Sequence, residues 1–240
     1  MTDEPSPPTP HTPHPPYGTP EAPRLAVQGE ARLEFDPEIA RIGITVNARG
    51  TDRRTALEDL TRRNSLALDL VKTYGDAVEE LETGAFSISP ELARRGRGER
   101  VRAYHGSVRI TAALTDFTAL GELTTRLADL ELTRVDGPWW AMRPDSPAYA
   151  EVRRHAVREA VKRAREYAQA LDAGLTALVE LADPGAETPH PAPPAFAGRM
   201  RSAVLERAED APAPALDLEP QRQTLHALVH ARFIMTPPQL

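Results

Sequence analysis

Seven stretches of the chain alternate apolar and polar residues or run apolar at strand length, and three amphipathic helices separate some of them. Near the start Leu25, Val27, Ala31, Leu33 and Phe35 alternate with Gln28, Glu30, Arg32 and Glu34. Near the end Leu225, Ala227, Val229, Ala231 and Phe233 alternate with polar residues. A period of two sends successive side chains to opposite faces, so each run predicts a strand with one buried face. The first strand covers about 24–35, and Asp36-Pro37 turns the chain into a second run in which Ala40, Ile42, Ile44 and Val46 share a side. Gly50-Thr51-Asp52 ends that run and caps a helix, because the oxygen of Thr51 or Asp52 can accept from first-turn amides. Leu57, Leu60, Asn64, Ala67, Leu68 and Val71 form the inward stripe of this helix, and Gly75 stops it.

A third strand is expected near 78–89, with Gly84, Phe86 and Ile88 on one face, followed by a polar loop over 90–99. In the next run, 100–114, Tyr104, Val108, Ile110, Ala112 and Leu114 share a face. A strand of that length would reach roughly 50 Å, more than twice the usual, so it must bend or project beyond the core. Thr115-Asp116 opens a second helix with Phe117, Leu120, Leu123 and Leu127 inward, and a fifth strand lies within 131–142. Ser146-Pro147 reads as an N-cap followed by proline at the first helical position. The helix it opens repeats Tyr149, Val152, Ala156, Ala160, Ala164, Tyr167 and Leu171 until Gly174, a span of about 40 Å. Leu175, Ala177, Val179 and Leu181 make the sixth strand, and the last runs over 221–235. The order of elements is β-β-α-β-β-α-β-α-β-β.

Composition limits how much of the chain can pack. Of 24 prolines, nine fall in residues 1–23, where apolar side chains are almost absent, and this arm reads as disordered or polyproline-like. A second proline-rich segment, about 183–220, reads as a flexible insertion in a body covering 24–236, with a short helix at 199–208 as one reading of its middle. A net charge of −6 supplies no global attraction to nucleic acid or anionic lipid, so binding to either would need a local patch. Without cysteine the chain has no disulfide, thiolate metal site or reactive thiol. No run of eighteen apolar residues occurs, and the first residues contain neither a basic nor an apolar leader region. The location expected on that basis is cytoplasmic, with no membrane span.

Particular residues within this order carry a family resemblance. Val27-Gln28-Gly29-Glu30-Ala31 looks like a V-x-G-x-G/A opening, and Asp36-Pro37-Glu38-Ile39-Ala40 is similar to a P-D-x-A turn. Ser87-Ile88-Ser89-Pro90, the strand containing Tyr104 and the alanine-rich helix 156–173 follow in the same order. The chain thereby resembles the SIMPL domain family over about 25–235, whose bacterial members are known as oxidative-stress defence or periplasmic immunogenic proteins. The resemblance implies an α+β fold, with long antiparallel strands in a mixed sheet packed against three helices, and ring-like homo-oligomers. It implies no established reaction and no cofactor, and any stress role would come from the family association alone.

Candidate chemistry is sparse. His226 and His230 share the polar face of the last strand, but four residues of strand separate them by about 13 Å, too far for one ion. His105 and His155 stand alone, and His11, His14 and His190 fall in proline-rich tracts. Arg94, Arg95, Arg97 and Arg100 cluster with Gly96 and Gly98 and offer an anion contact, against which Glu91 and Glu99 partly compensate. No aromatic side chain interleaves there to stack bases, so nucleic acid is not expected as a partner. Gly137-Pro138-Trp139-Trp140 holds both tryptophans; Pro138 requires an edge, bulge or strand end, and one indole can enter the core while the other faces out. Trp139, Trp140 and Tyr104 are the candidate interface residues. The leading expectation is a non-enzymatic homo-oligomeric scaffold or binding protein without metal, cofactor or catalytic residues. Two alternatives stand beside it: a ligand-binding protein or enzyme with a cleft near Tyr104, His105 and Trp139, and an adaptor that docks a partner through its proline-rich arm.

Overall fold

The computed structural model describes residues 18–92, 101–184 and 215–239. The α+β class and the order of elements are those read from the sequence: β1 (Arg24–Phe35), β2 (Ile39–Gly50), α1 (Arg53–Lys72), β3 (Val78–Leu92), β4 (Val101–Leu114), α2 (Phe117–Ala128), β5 (Thr133–Ala141), α3 (Pro147–Gln169), β6 (Leu175–Ala182) and β7 (Gln223–Met235). The strands divide between two sheets, ordered β1-β7-β6 and β3-β4-β2-β5. The described residues form two compact units, one of 18–33, 147–184 and 225–239, the other of 34–92, 101–146 and 215–224.

In the four-stranded unit every neighbouring pair is antiparallel. The even-numbered face of β2 (Ala40, Ile42, Ile44, Val46) pairs with that of β4 (Leu114, Ala112, Ile110, Val108), all buried beneath α1 and α2. Asp52 caps α1, its Oδ1 accepting from the Thr55 amide at 3.0 Å and its Oδ2 from the Thr55 hydroxyl at 2.7 Å. Asp116 caps α2, accepting from the amides of Thr118 (2.9 Å) and Ala119 (3.1 Å). The α1 stripe is buried as expected at Leu60, Ala67 and Val71, with a shift in its first turn alone, where Ala56 is buried and Leu57 exposed. The close approach of the strand end explains the shift, since a Cβ on Gly50 would lie 2.4 Å from the Ala56 nitrogen. The segment 215–220, read as the end of a flexible insertion, lies along α2. Leu218 packs against the core, and the Leu216 amide donates to the Thr125 hydroxyl at 3.1 Å.

In the three-stranded unit β6 pairs antiparallel with β7. β1 flanks β7 on the other side, where the Met235 amide donates to the Pro23 carbonyl at 3.0 Å. Helix α3 buries Ala148, Val152, Ala156, Ala160, Ala164 and Ala168, a stripe four residues apart. Against it pack Val27, Val229, Ala231 and Phe233. Tyr167, expected inward, is exposed, because the stripe continues through Ala168. The arm before residue 18, the loop 93–100 and residues 185–214, with the helix expected at 199–208, lie outside the described residues.

Candidate functional site

β5 is an edge strand with a register shift opposite Arg41–Gly43, as the proline required, and the Gly137–Pro138 peptide within it is cis. Trp139 pairs with Arg41 and Trp140 with Ala40, so the indoles leave opposite faces of the sheet. Trp140 turns to the core and meets Phe117 edge-on, with centroids 4.8 Å apart at 79°. Trp139 is 50 % exposed on the open face. Its ring lies over Gly43: a Cβ there would be 3.4 Å from Trp139 Cη2 and 3.3 Å from Arg109 Nη2. The missing side chain at Gly43 therefore gives the indole and the guanidinium room to lie across the sheet.

Tyr104 and His105 are at the other end of the same sheet. Tyr104 pairs with Gly50, nine residues along β2 from Arg41, or roughly 30 Å. The structure thus does not bring Tyr104, His105 and Trp139 into one cleft. It does assemble a cluster that the sequence did not reveal. Glu91 Oε2 accepts from Arg49 Nη2 at 2.8 Å and lies 2.8 Å from His105 Nε2, while Arg102 Nη1 is 3.7 Å from Oε1. The hydrogen bond with His105, followed by that of Arg49 and the charges of Arg49 and Arg102, holds the Glu91 carboxyl below the usual carboxylate range. Nearby, the Arg53 guanidinium sits 5.8 Å from the centroid of the Tyr104 ring. Arg94, Arg95, Arg97 and Arg100 lie outside the described residues.

Within the same unit Glu38 joins the turn after β1 to the chain before α3. Its Oε2 accepts from the Arg143 amide at 2.9 Å and its Oε1 from the Ser146 hydroxyl at 2.8 Å. Arg143 in turn grips Glu79, with both carboxylate oxygens 3.0 Å from Nε. This pairing lowers the Glu79 pKa and raises that of Arg143.

On the outer face of the three-stranded sheet His226 Nε2 lies 3.0 Å from Glu30 Oε1, which Arg32 also approaches at 2.9 Å. The bond with His226 is the larger cause of a lowered Glu30 pKa. His230 instead lines a shallow depression of about 310 Å³ with Gln28, Glu180 and Arg232. Among the described residues no three His, Asp or Glu side chains are grouped closely enough to hold a metal ion.

The same unit carries an apolar surface. β6 is an edge strand, and Leu178, Val179 and Leu181 are each more than two-fifths exposed. The alternation Leu175, Ala177, Val179, Leu181 predicted a buried face, yet only Leu175 joins the packed cluster. The available signal was Leu178 beside Val179, an apolar residue on each face of one strand.

The profile of the SIMPL family, described as a protein of unknown function (DUF541), matches residues 25–233. The chain belongs to this family. Two curated relatives, the 26 kDa periplasmic immunogenic proteins of Brucella melitensis and Brucella abortus, are each 25 % identical over 172 residues, covering 69 % of this chain and 68 % of theirs. Both names place those proteins in the periplasm, which overturns the cytoplasmic expectation. A solved structure from Burkholderia cenocepacia, named for an amidohydrolase/peptidase, is 20 % identical with a TM-score of 0.24. It covers 55 % of this chain, which spans only 33 % of its length, and the likeness carries no argument. The SIMPL residues recognised in the sequence have structural work: Gly29 admits α3, Glu38 holds the segment before that helix, and the alanines form its buried stripe. No helix among the described residues is long and apolar enough to cross a membrane.

Proposed function

We propose that this SIMPL protein is a non-enzymatic, homo-oligomeric scaffold or binding protein that works through its surfaces. The observation that carries the reading is the open β6 edge, with Leu178, Val179 and Leu181 exposed on a strand that has one neighbour among the described residues. Such an edge presents unpaired backbone groups and apolar side chains together, and pairing with another chain satisfies both. The half-exposed Trp139 on the second edge strand, β5, supplies a further contact of the aromatic kind enriched at interfaces. Trp140 and Tyr104 contribute less in this reading, since the first packs toward the core and the second lies under Arg53. The names of the Brucella relatives support a periplasmic setting. A stress-related role rests on the family association and acts by binding or shielding, because the chain has no thiol.

The test is light scattering on the wild type and on Leu178→Lys and Val179→Lys. These exposed substitutions leave the fold intact, and the reading predicts a smaller assembly in both. An unchanged mass in folded variants refutes the β6 contact.

A further inference from the structure

One flank of α1 is apolar and open. Leu60 sits over Gly106 of β4, 3.0 Å from where a Cβ would be, and Arg53 lies near the Tyr104 ring. On the far flank Arg63 reaches Glu131, in the turn before β5. With 3.6 residues per turn, Leu57 falls on the flank away from Arg63, which is the side of β3. The register sets Phe86 of β3 opposite Val108 and Ile88 opposite Gly106, so both share the face that α1 covers, and β3 is the sheet edge. Leu57 is 43 % and Phe86 58 % exposed. Leu57, Phe86 and Ile88 thus border one apolar groove between α1 and the free edge of β3.

That edge lacks the usual guard. Charged side chains protect most exposed strands, as Glu180 does on β6 and Arg134 and Asp136 do on β5, whereas residues 83–90 carry no charge. A bulge between Thr83 and Phe86 and the missing amide of Pro90 bound a short regular stretch, with Ser87 at its middle. The stretch matches its own reverse. Antiparallel pairing with a second copy about Ser87 sets Phe86 against Ile88 in both directions, an aromatic against a β-branched side chain, and leaves Pro90 opposite the bulge. Glu91, the next carboxylate, falls opposite Thr83 of the other copy and already meets Arg49 and Arg102.

Paired in this way the two sheets run on as one, with both copies of α1 on the same side. Because α1 lies over β2 and β4, the two helices are about four strand spacings, or roughly 19 Å, apart. Helices of about 10 Å diameter leave roughly 9 Å between them, room for Leu57, Phe86 and Ile88 from each copy. We propose that the β3 edge pairs with the β3 edge of a second copy about a two-fold axis at Ser87, closing the apolar groove. The contact shares with the proposed function only that copies of the chain associate, and it uses a different edge from β6.

The chain has no cysteine, so an introduced thiol reports on one position. Ser87→Cys meets its own copy across the axis with Cα atoms about 5 Å apart, within disulfide reach, whereas Ser89→Cys is held about 14 Å from its copy. Both positions are exposed. Each full-length variant is oxidised with copper phenanthroline and read on a non-reducing gel. The expected result is covalent dimer from Ser87→Cys and about tenfold less from Ser89→Cys. Phe86→Lys added to Ser87→Cys lowers the yield by about tenfold while circular dichroism stays that of the wild type. No dimer from Ser87→Cys, equal yields from the two thiols, or an undiminished yield with Phe86→Lys overturns the proposal. Absence of dimer together with binding of an extended peptide of alternating apolar and polar residues also overturns it, and assigns the groove to a foreign strand. Leu178→Lys in the Ser87→Cys background keeps the cross-link whether or not the assembly mass falls, so failure of the β6 contact and failure of this one are read separately.

Discussion

Gly29 of β1 lies against the backbone of α3 at Ala156: a Cβ on Gly29 would fall 2.1 Å from the Ala156 carbonyl oxygen and 2.6 Å from the Ala160 nitrogen. Only a strand residue without a side chain opposite a small-residue helix stripe permits this approach. Gly29→Ala therefore forces α3 away from the sheet, at a cost of about 1–3 kcal/mol typical of overpacking. Urea denaturation followed by circular dichroism measures it, and a midpoint equal to the wild type contradicts the packing.

The two tryptophans should separate in solution. Trp140→Ala removes the edge-on contact with Phe117 and lowers stability by about 3 kcal/mol, whereas Trp139→Ala changes monomer stability by less than about 1 kcal/mol. In the single-tryptophan proteins, acrylamide quenches Trp139 more strongly than Trp140. The reverse order of quenching would contradict the assigned faces.

Gly121 on α2 makes room for the segment at Leu216, whose carbonyl oxygen would be 2.2 Å from a Cβ at that position. Gly121→Ala displaces the segment and breaks the bond from the Leu216 amide to Thr125. Hydrogen exchange checks this: residues 215–220 should lose protection while β2 and β4 keep theirs. Unaltered exchange over 215–220 would show that the segment is held elsewhere.

Acid should destabilise the fold. Glu79, Glu91, Glu30 and Asp59 all have lowered pKa values, chiefly through hydrogen bonds from Arg143, His105, His226 and Arg63 respectively. A carboxyl whose folded pKa lies below its unfolded value contributes stability that is fully present above the unfolded pKa. That stability is lost as pH falls below about 4 toward the folded values. Thermal melts across this range should show a declining midpoint, and a smaller decline in Glu79→Gln than in the wild type. An equal decline in both would remove Glu79 from the account.

Periodicity made the strands, the helices and most of the core readable, because an alternating or helical stripe is a direct image of a covered face. Its errors fall where cover depends on neighbours distant in sequence. Ala56 replaces Leu57 and Ala168 accompanies Ala164 because backbone proximity, as at Gly50, favours the smaller side chain over the more hydrophobic one. Phe86 shares the face of Val108, as expected, yet stays exposed on an edge strand, and in β6 two register shifts break the expected alternation, putting Leu178 rather than Ala177 on the side of Phe233. The Glu91 cluster draws on β2, β3 and β4, and its geometry follows from strand register, which local spacing does not encode. Gly29 was legible as part of a motif, but its reason, contact with a helix more than a hundred residues later, was not.

The central claim is that the exposed β6 edge joins copies of this chain, and native mass spectrometry of the wild type across a dilution series tests it most directly. The account predicts a discrete multiple of the 26.3 kDa chain at micromolar concentration, dissociating on dilution. A monomer throughout the series would contradict it.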